Sequence, residues 1–222
     1  MSAMRALQIC NETLLSAANR QQTLEKLTKP LFPILSSDKK KRQAAVLIAL
    51  CEEKDNSLSL LYTLRSSNLT RHTGQVSFPG GMRDPTDSAW ADCALRETEE
   101  EVGINRKLID IWGTAAPLVV PWSSVTIYPV IGSIRNFSKL QLKLNPDEVE
   151  EAFTVSLQHL CDPENQRHTQ FKTGTGVIVP AFINTPAKIW GITGFLTHHF
   201  LRALLPKDAY RRSWPLVTGY KL

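Results

Sequence analysis

The chain has 222 residues, 42% of them hydrophobic and 21% charged, with a formal net charge of +5. This composition excludes a disordered or fibrous chain and fits one globular domain with terminal extensions, or a large single domain. The mild basic excess suits an anionic small ligand and is no nucleic-acid signature, and the longest apolar run, Ala44 to Cys51, is too short to span a bilayer.

Asn11 to Thr28 reads as a helix that ends before Lys29-Pro30. The wider stretch, Met1 to Lys29, carries Arg5, Arg20, Lys26 and Lys29 against Glu12 and Glu25. A plain N-terminal helix and a mitochondrial transit peptide fit it equally. Ser36 to Arg42 is a basic linker, so residues 1–42 form a first region with a candidate targeting segment. The main domain spans 43–206 and a tail covers 207–222. The last three residues, Tyr220-Lys221-Leu222, match a peroxisomal Ser-Lys-Leu signal at two positions only, which makes that compartment the weaker reading. Cys10, Cys51, Cys93 and Cys161 lack paired spacing and read as reduced thiols of an intracellular protein.

Ala44 to Cys51 predicts a buried strand. Ser57 to Ser66 predicts a second one, joined to it by a turn at Lys54-Asp55-Asn56. Val76 to Phe78 predicts a short strand stopped by Pro79-Gly80-Gly81. Ala89 to Val102 has helical periodicity, with Asp87 or Ser88 as N-cap, Gly103 as C-cap and an inward stripe of Ala91, Ala94, Leu95, Thr98 and Val102. Strands follow at Ile109 to Thr114 and Val125 to Ile134. Pro146 to Glu151 and Ser156 to Leu160 read as helical turns, Gly176 to Ile183 as a strand, and Trp190 to Leu205 as a closing helix. Trp112, Trp190 and the Phe78 ring are assigned to the core. Strands and helices alternate irregularly, which predicts an α/β fold with a mixed sheet between helices.

The chemistry concentrates in Arg96-Glu97-Thr98-Glu99-Glu100-Glu101-Val102-Gly103-Ile104. On a helix Glu97, Glu100 and Glu101 share a face. Like charges at that spacing oppose the helix by about 0.2–0.5 kcal/mol per pair, and the macrodipole disfavours anions near a C-terminus. A bound dication reverses both penalties. Oxygen-rich sites suit Mg²⁺ or Mn²⁺, usually together with substrate phosphates. Glu99 points away and is solvated. Gly80-Gly81 allows close backbone approach, bringing a carbonyl to a metal or amides to a phosphate. A solvated charged face and a tight turn are the plain alternatives.

Together these residues resemble the Nudix box, G-x5-E-x7-R-E-U-x-E-E-x-G-U with U apolar. Arg96 to Ile104 matches its second half, with Thr98 a soft match. The first half departs from the pattern. Counting back from Arg96 puts Met82 at the glycine and Ser88 at the first glutamate, whereas a one-residue insertion restores Gly81 and puts Asp87 there instead. That variant, with Leu61 to Ser66, Leu69 to Gly81, Asn145 to Phe153 and Ile189 to Thr193, resembles the coenzyme A diphosphatases of the Nudix superfamily, and within them the mitochondrial animal branch. The likeness covers roughly Ala44 to Leu205.

The resemblance implies a Nudix α/β/α sandwich with a central mixed sheet. It also implies hydrolysis of the diphosphate of coenzyme A, and of acyl-CoA by analogy, to 3′,5′-ADP and 4′-phosphopantetheine with Mg²⁺ or Mn²⁺. Glu97 and Glu101 are then the primary metal ligands, with Glu100 a ligand or base and Arg96 orienting a carboxylate. Glu148 and Glu151 are candidates for a further, late carboxylate, with an exposed acidic turn weighing at least equally for Glu150 and Glu151. Arg65, Arg71 and His72 are candidates for the anionic end of coenzyme A, and Gly80 and Gly81 for the diphosphate. For Arg65 a strand-end salt bridge weighs equally. The rivals are a Nudix hydrolase of another dinucleotide or of nucleoside triphosphates, and a non-catalytic Nudix-fold binding module. No nucleic-acid partner is expected, and oligomeric state is not legible.

Overall fold

A computed structural model of the chain describes residues 11–29, 42–67, 74–119, 125–170 and 178–211. Arg71, His72, most of the basic linker and the C-terminal tripeptide lie outside the described residues. No described helix is long and apolar enough to cross a membrane.

The organising element is β1 (Arg42–Glu52). It runs parallel to β7 (Val125–Ile134) over ten paired positions, from Arg42↔Val125 to Cys51↔Ile134. Its end forms the expected hairpin with β2 (Leu58–Arg65), with Leu50 opposite Leu60 and Asn56 taking the left-handed turn conformation. β3 (Val76–Ser77) pairs with β2, and β4 (Gly80–Met82) pairs antiparallel with the start of β1. On the far side, β5 (Ile109–Thr114) and β6 (Leu118–Val119) pair with β7. β8 (Val149–Ser156) lies on the other edge of β2. Among the described residues the β1–β7 pair alone is parallel, which makes the sheet mixed. A separate antiparallel pair, β9 (Gln166–Gln170) and β10 (Ile178–Phe182), follows.

Side chains of β1 alternate between two cores, because successive strand residues point to opposite faces. Ala45, Leu47, Ala49 and Cys51 pack with Cys93, Ala94 and Val102 of α3 (Trp90–Val102). Ile48 and Leu50 pack with Leu157 and Leu160 of the short α4 (Leu157–Cys161) and with Leu196, Phe200 and Leu201 of α5 (Gly191–Leu204). The sandwich is therefore helix, sheet, helix. The N-terminal segment joins the second layer. Its helix is broken into α1 (Asn11–Leu14) and α2 (Ala17–Leu27), because Ser16 caps α2 through the Asn19 N–H. Lys26 donates to the Ala203 carbonyl of α5 at 2.8 Å, Leu14 and Leu27 are buried, and the Arg20 guanidinium lies over the Trp112 ring.

Four local expectations are corrected. The chain does not stop at Pro79-Gly80-Gly81 but resumes as β4, since Gly80, without a side chain, can lie against the backbone of Ala45 and Val46. Pro146 to Glu151 is not a helical turn over its length. From Val149 the chain is strand β8, whose period-two burial of Phe153 and Val155 outweighs the acidic run before it. Neither Asp87 nor Ser88 caps α3. The N-cap is Ala89, whose N–H is held by Asp92 at 2.9 Å, while Asp87 is engaged elsewhere. Trp190 is not core but 38% exposed at the N-cap of α5. Strand β9 carries a mixed polar sequence and no periodic signal, and the sequence reading passes over it. Phe78 is buried as expected, and it stacks on Tyr62. Cys51, Cys93 and Cys161 are free and buried.

Candidate metal and diphosphate site

The site forms where the last turns of α3 meet β4 and the start of β8. Gly103 ends α3 with a left-handed conformation (φ 71°), its N–H returning to the Glu99 carbonyl. The next free helix carbonyls, of Glu101 and Val102, accept from the N–H groups of Asn145 and Lys143 at 3.0 Å each. That docking brings the approach to β8 alongside the helix. The Glu148 carbonyl then accepts from the Ser66 N–H at 2.9 Å, at the end of β2. As a result, carboxylate oxygens of Glu97, Glu101 and Glu148 lie within 4.8 Å of one another.

Each carboxylate in this group is held differently. Glu101 is only 1% exposed and accepts from the Gly80 N–H at 3.1 Å. Its pKa is raised to about 8, mainly by burial, against the lowering effects of the Gly80 N–H and of Arg65. Burial likewise raises Glu97, against hydrogen bonding from Arg96. Gly81 faces Glu97 so closely that a Cβ there would stand 2.3 Å from its carboxylate. One buried and one partly buried carboxyl with raised proton affinity, plus a third, fit a divalent cation. The donors are all hard oxygens, and the cost of ionising them is what a dication offsets.

Arg96 holds this arrangement in register. Its Nε and Nη2 donate to the two oxygens of Asp87 at 3.0 and 2.9 Å, a bidentate fork. Nη1 donates to Glu97 at 2.9 Å and to Glu100 at 3.1 Å, and Nη2 also reaches the Met82 carbonyl at 3.1 Å. The Arg96 fork pulls the Asp87 carboxyl down to about 2, and Arg96 itself is held well above its ordinary value, with Asp87 the leading cause. Ser88 is not the partner of Arg96, because its hydroxyl bonds Asp92. The inserted-residue register, with Asp87 in place of the glutamate, is the one the fold uses.

The three helix carboxylates are not brought together as a set. Glu100 is turned outward, its side chain 52% exposed and bonded to Arg96. Glu148 joins Glu97 and Glu101 instead, whereas Glu151 sits exposed on β8. Glu99 bonds Arg106 at the surface. Arg65, at the end of β2, places Nη1 3.9 Å from Glu101 Oε1. Sequence spacing pointed to Glu148 only as one of two late carboxylates, because its choice depends on the docking of Asn145 onto the helix end.

A proton must leave Glu101 before a cation can be held, which makes stability depend on pH. A carboxyl whose folded pKa is raised contributes stability that is fully present below its ordinary pKa and is lost as pH rises through about 8. Metal-free protein is therefore expected to melt at progressively lower temperature between about pH 5 and about pH 9, while added Mg²⁺ restores more stability the higher the pH. Thermal melts in chelator and in Mg²⁺ across that range check this. A metal increment that shrinks with pH contradicts it.

A profile described as the NUDIX domain matches residues 41–174. The chain is 40% identical over 166 residues to a protein of Homo sapiens named mitochondrial coenzyme A diphosphatase NUDT8, covering 73% of this chain and 70% of that one. It is 38% identical over 195 residues to the Mus musculus protein of the same name, covering 86% and 90%. A Mus musculus protein named peroxisomal coenzyme A diphosphatase NUDT7 is 37% identical over 121 residues, covering 54% and 49%.

Proposed function

The chain belongs to the NUDIX domain family, and from that premise we propose that it hydrolyses the diphosphate bond of coenzyme A, and of acyl-CoA esters, to 3′,5′-ADP and 4′-phosphopantetheine. The observation that carries the metal-dependent part is the meeting of Glu97, Glu101 and Glu148 within 4.8 Å beside Gly80-Gly81. The substrate comes from the relatives named as coenzyme A diphosphatases.

Nudix hydrolases use a divalent metal, and the all-carboxylate donor set favours Mg²⁺ or Mn²⁺. When bound, the ion neutralises diphosphate charge and lowers the cost of activating water. The chain's own residues do the rest. Glu97, Glu101 and Glu148 would hold the ion, and Arg96 fixes the Glu97 carboxylate while Asp87 fixes Arg96. Gly81 keeps clear the space a side chain would take from Glu97. Glu148 fills the role of the late carboxylate, with Glu100 kept at the rim by Arg96. Arg71 and His72 are assigned to the anionic end of coenzyme A on the resemblance of their segment. The compartment we assign is the mitochondrion, after the Homo sapiens and Mus musculus relatives named as mitochondrial.

The test is a substrate panel of coenzyme A, ADP-ribose and a nucleoside triphosphate, each with and without Mg²⁺. We expect coenzyme A to give 3′,5′-ADP with the highest kcat/KM, and only with the metal. A higher kcat/KM for either alternative overturns the substrate. No turnover of any of them favours a binding module.

A further inference from the structure

Two arginines flank the carboxylate group, and they are in opposite states. Arg96 is fully engaged, holding Asp87, Glu97, Glu100 and the Met82 carbonyl. Arg65 is not. Its backbone is fixed on both sides, the N–H donating to Gln75 and the carbonyl accepting from Gly74. Its Nε is buried with no hydrogen-bond partner among the described residues. Its Nη1 stands 3.9 Å from Glu101 Oε1, too far for a hydrogen bond and close enough for strong Coulomb attraction. The side chain is 28% exposed, so the guanidinium lies partly in solvent while its Nε is unsatisfied among the described residues.

A buried guanidinium donor left unpaired is unfavourable, and it is tolerated where an anionic partner arrives from outside. The same cation lies on the carboxylate that a divalent ion requires. In the empty site it stands in weakly for the metal, and against an incoming dication it is a repulsive charge. A diphosphate changes the balance, because its oxygens give Arg65 an acceptor and release Glu101. We propose that Arg65 couples metal loading to diphosphate binding: it opposes the cation in the empty site and ceases to do so once an anion occupies its guanidinium. The inference rests on Glu97, Glu101 and Glu148 being the metal site. By reciprocity, the factor by which the anion tightens the metal is the factor by which the metal tightens the anion. Arg65 thereby favours metal and substrate arriving together over a metal-filled resting enzyme.

The test removes the charge and keeps the bulk, with Arg65→Met in the full chain. Mn²⁺ binding to substrate-free protein is read by electron paramagnetic resonance of the free ion, at one pH for parent and variants. The expected result is roughly tenfold tighter Mn²⁺ binding in Arg65→Met. In steady-state assays the same variant should have a higher KM for coenzyme A, and its apparent Mn²⁺ affinity should no longer depend on coenzyme A concentration. Arg65→Lys, which keeps the charge, should bind Mn²⁺ as the parent does. Unchanged or weaker Mn²⁺ binding by Arg65→Met overturns the proposal, and so does an Arg65→Lys that behaves like Arg65→Met. The Mn²⁺ measurement uses no substrate, so it stands even if the panel above selects a compound other than coenzyme A.

Discussion

Glu101→Gln is expected to lower turnover of coenzyme A by about 100-fold to 1000-fold at saturating Mg²⁺, the scale of losing one preorganised electrostatic contact at a reacting centre. The substitution keeps the shape and one oxygen able to accept from Gly80, so the backbone of β4 keeps its tether. It removes a charge from a position that is 1% exposed. Because burial drives the Glu101 pKa up to about 8, the ionised carboxylate destabilises the metal-free fold at higher pH. The glutamine variant should therefore be more stable than the parent in chelator at about pH 9, by roughly a few kcal/mol, while gaining less from added Mg²⁺. Steady-state kinetics with paired denaturation curves measure both arms. Near-normal turnover removes Glu101 from the metal site. A variant less stable than the parent in chelator at that pH contradicts the burial cost assigned to it.

Adjacent glycines are expected to fail in opposite ways. An added Cβ at Gly80 would meet the Ala45 carbonyl oxygen at 2.3 Å and the Val46 Cα at 2.6 Å, and its φ of 149° disfavours any side chain. Both obstacles are backbone of the central strand, which cannot yield without breaking the β1–β4 pairing. Gly80→Ala should thus cost roughly 3–5 kcal/mol, combining backbone strain with overpacking, and yield little folded protein. At Gly81 the nearest atoms to an added Cβ all belong to the Glu97 carboxylate, the far end of a side chain. Gly81→Ala should fold with nearly parental stability and lose about 100-fold in kcat, the scale of a misplaced reacting group. Urea denaturation together with kinetics separates the two. Equal losses of stability in both variants argue against this division between a fold glycine and a site glycine.

Much of this was legible before any coordinates. β1 is nearly continuous in apolar residues, α3 has a clear helical period ending at Gly103, and the Arg96 to Ile104 run breaks local charge rules in a way that marks a site. The departure from the Nudix pattern was readable as a one-residue insertion, and the fold uses that register, with Asp87 against Arg96. Readings failed where local signals competed. Pro146 to Glu151 reads as a helical turn along the chain, yet pairing with β2 draws Val149 to Ser156 into a strand. Trp190, assigned to the core, instead lies exposed at the N-cap of α5.

The sequence by itself determined the two layers of helix around a mixed sheet, the acidic turn of α3 and the glycine pair that approaches it. These follow from periodicity and residue type, which act over a few neighbours along the chain. Tertiary structure alone decided which carboxylates meet. Glu97, Glu100 and Glu101 are equivalent on a helical wheel, but Arg96 draws Glu100 to the rim, and Asn145, docking on the free carbonyl of Glu101, delivers Glu148 from more than forty residues away. A metal-sized cluster of charge is a property of distances in space, set by where unsatisfied helix-end carbonyls find their donors, and no spacing along the chain encodes it.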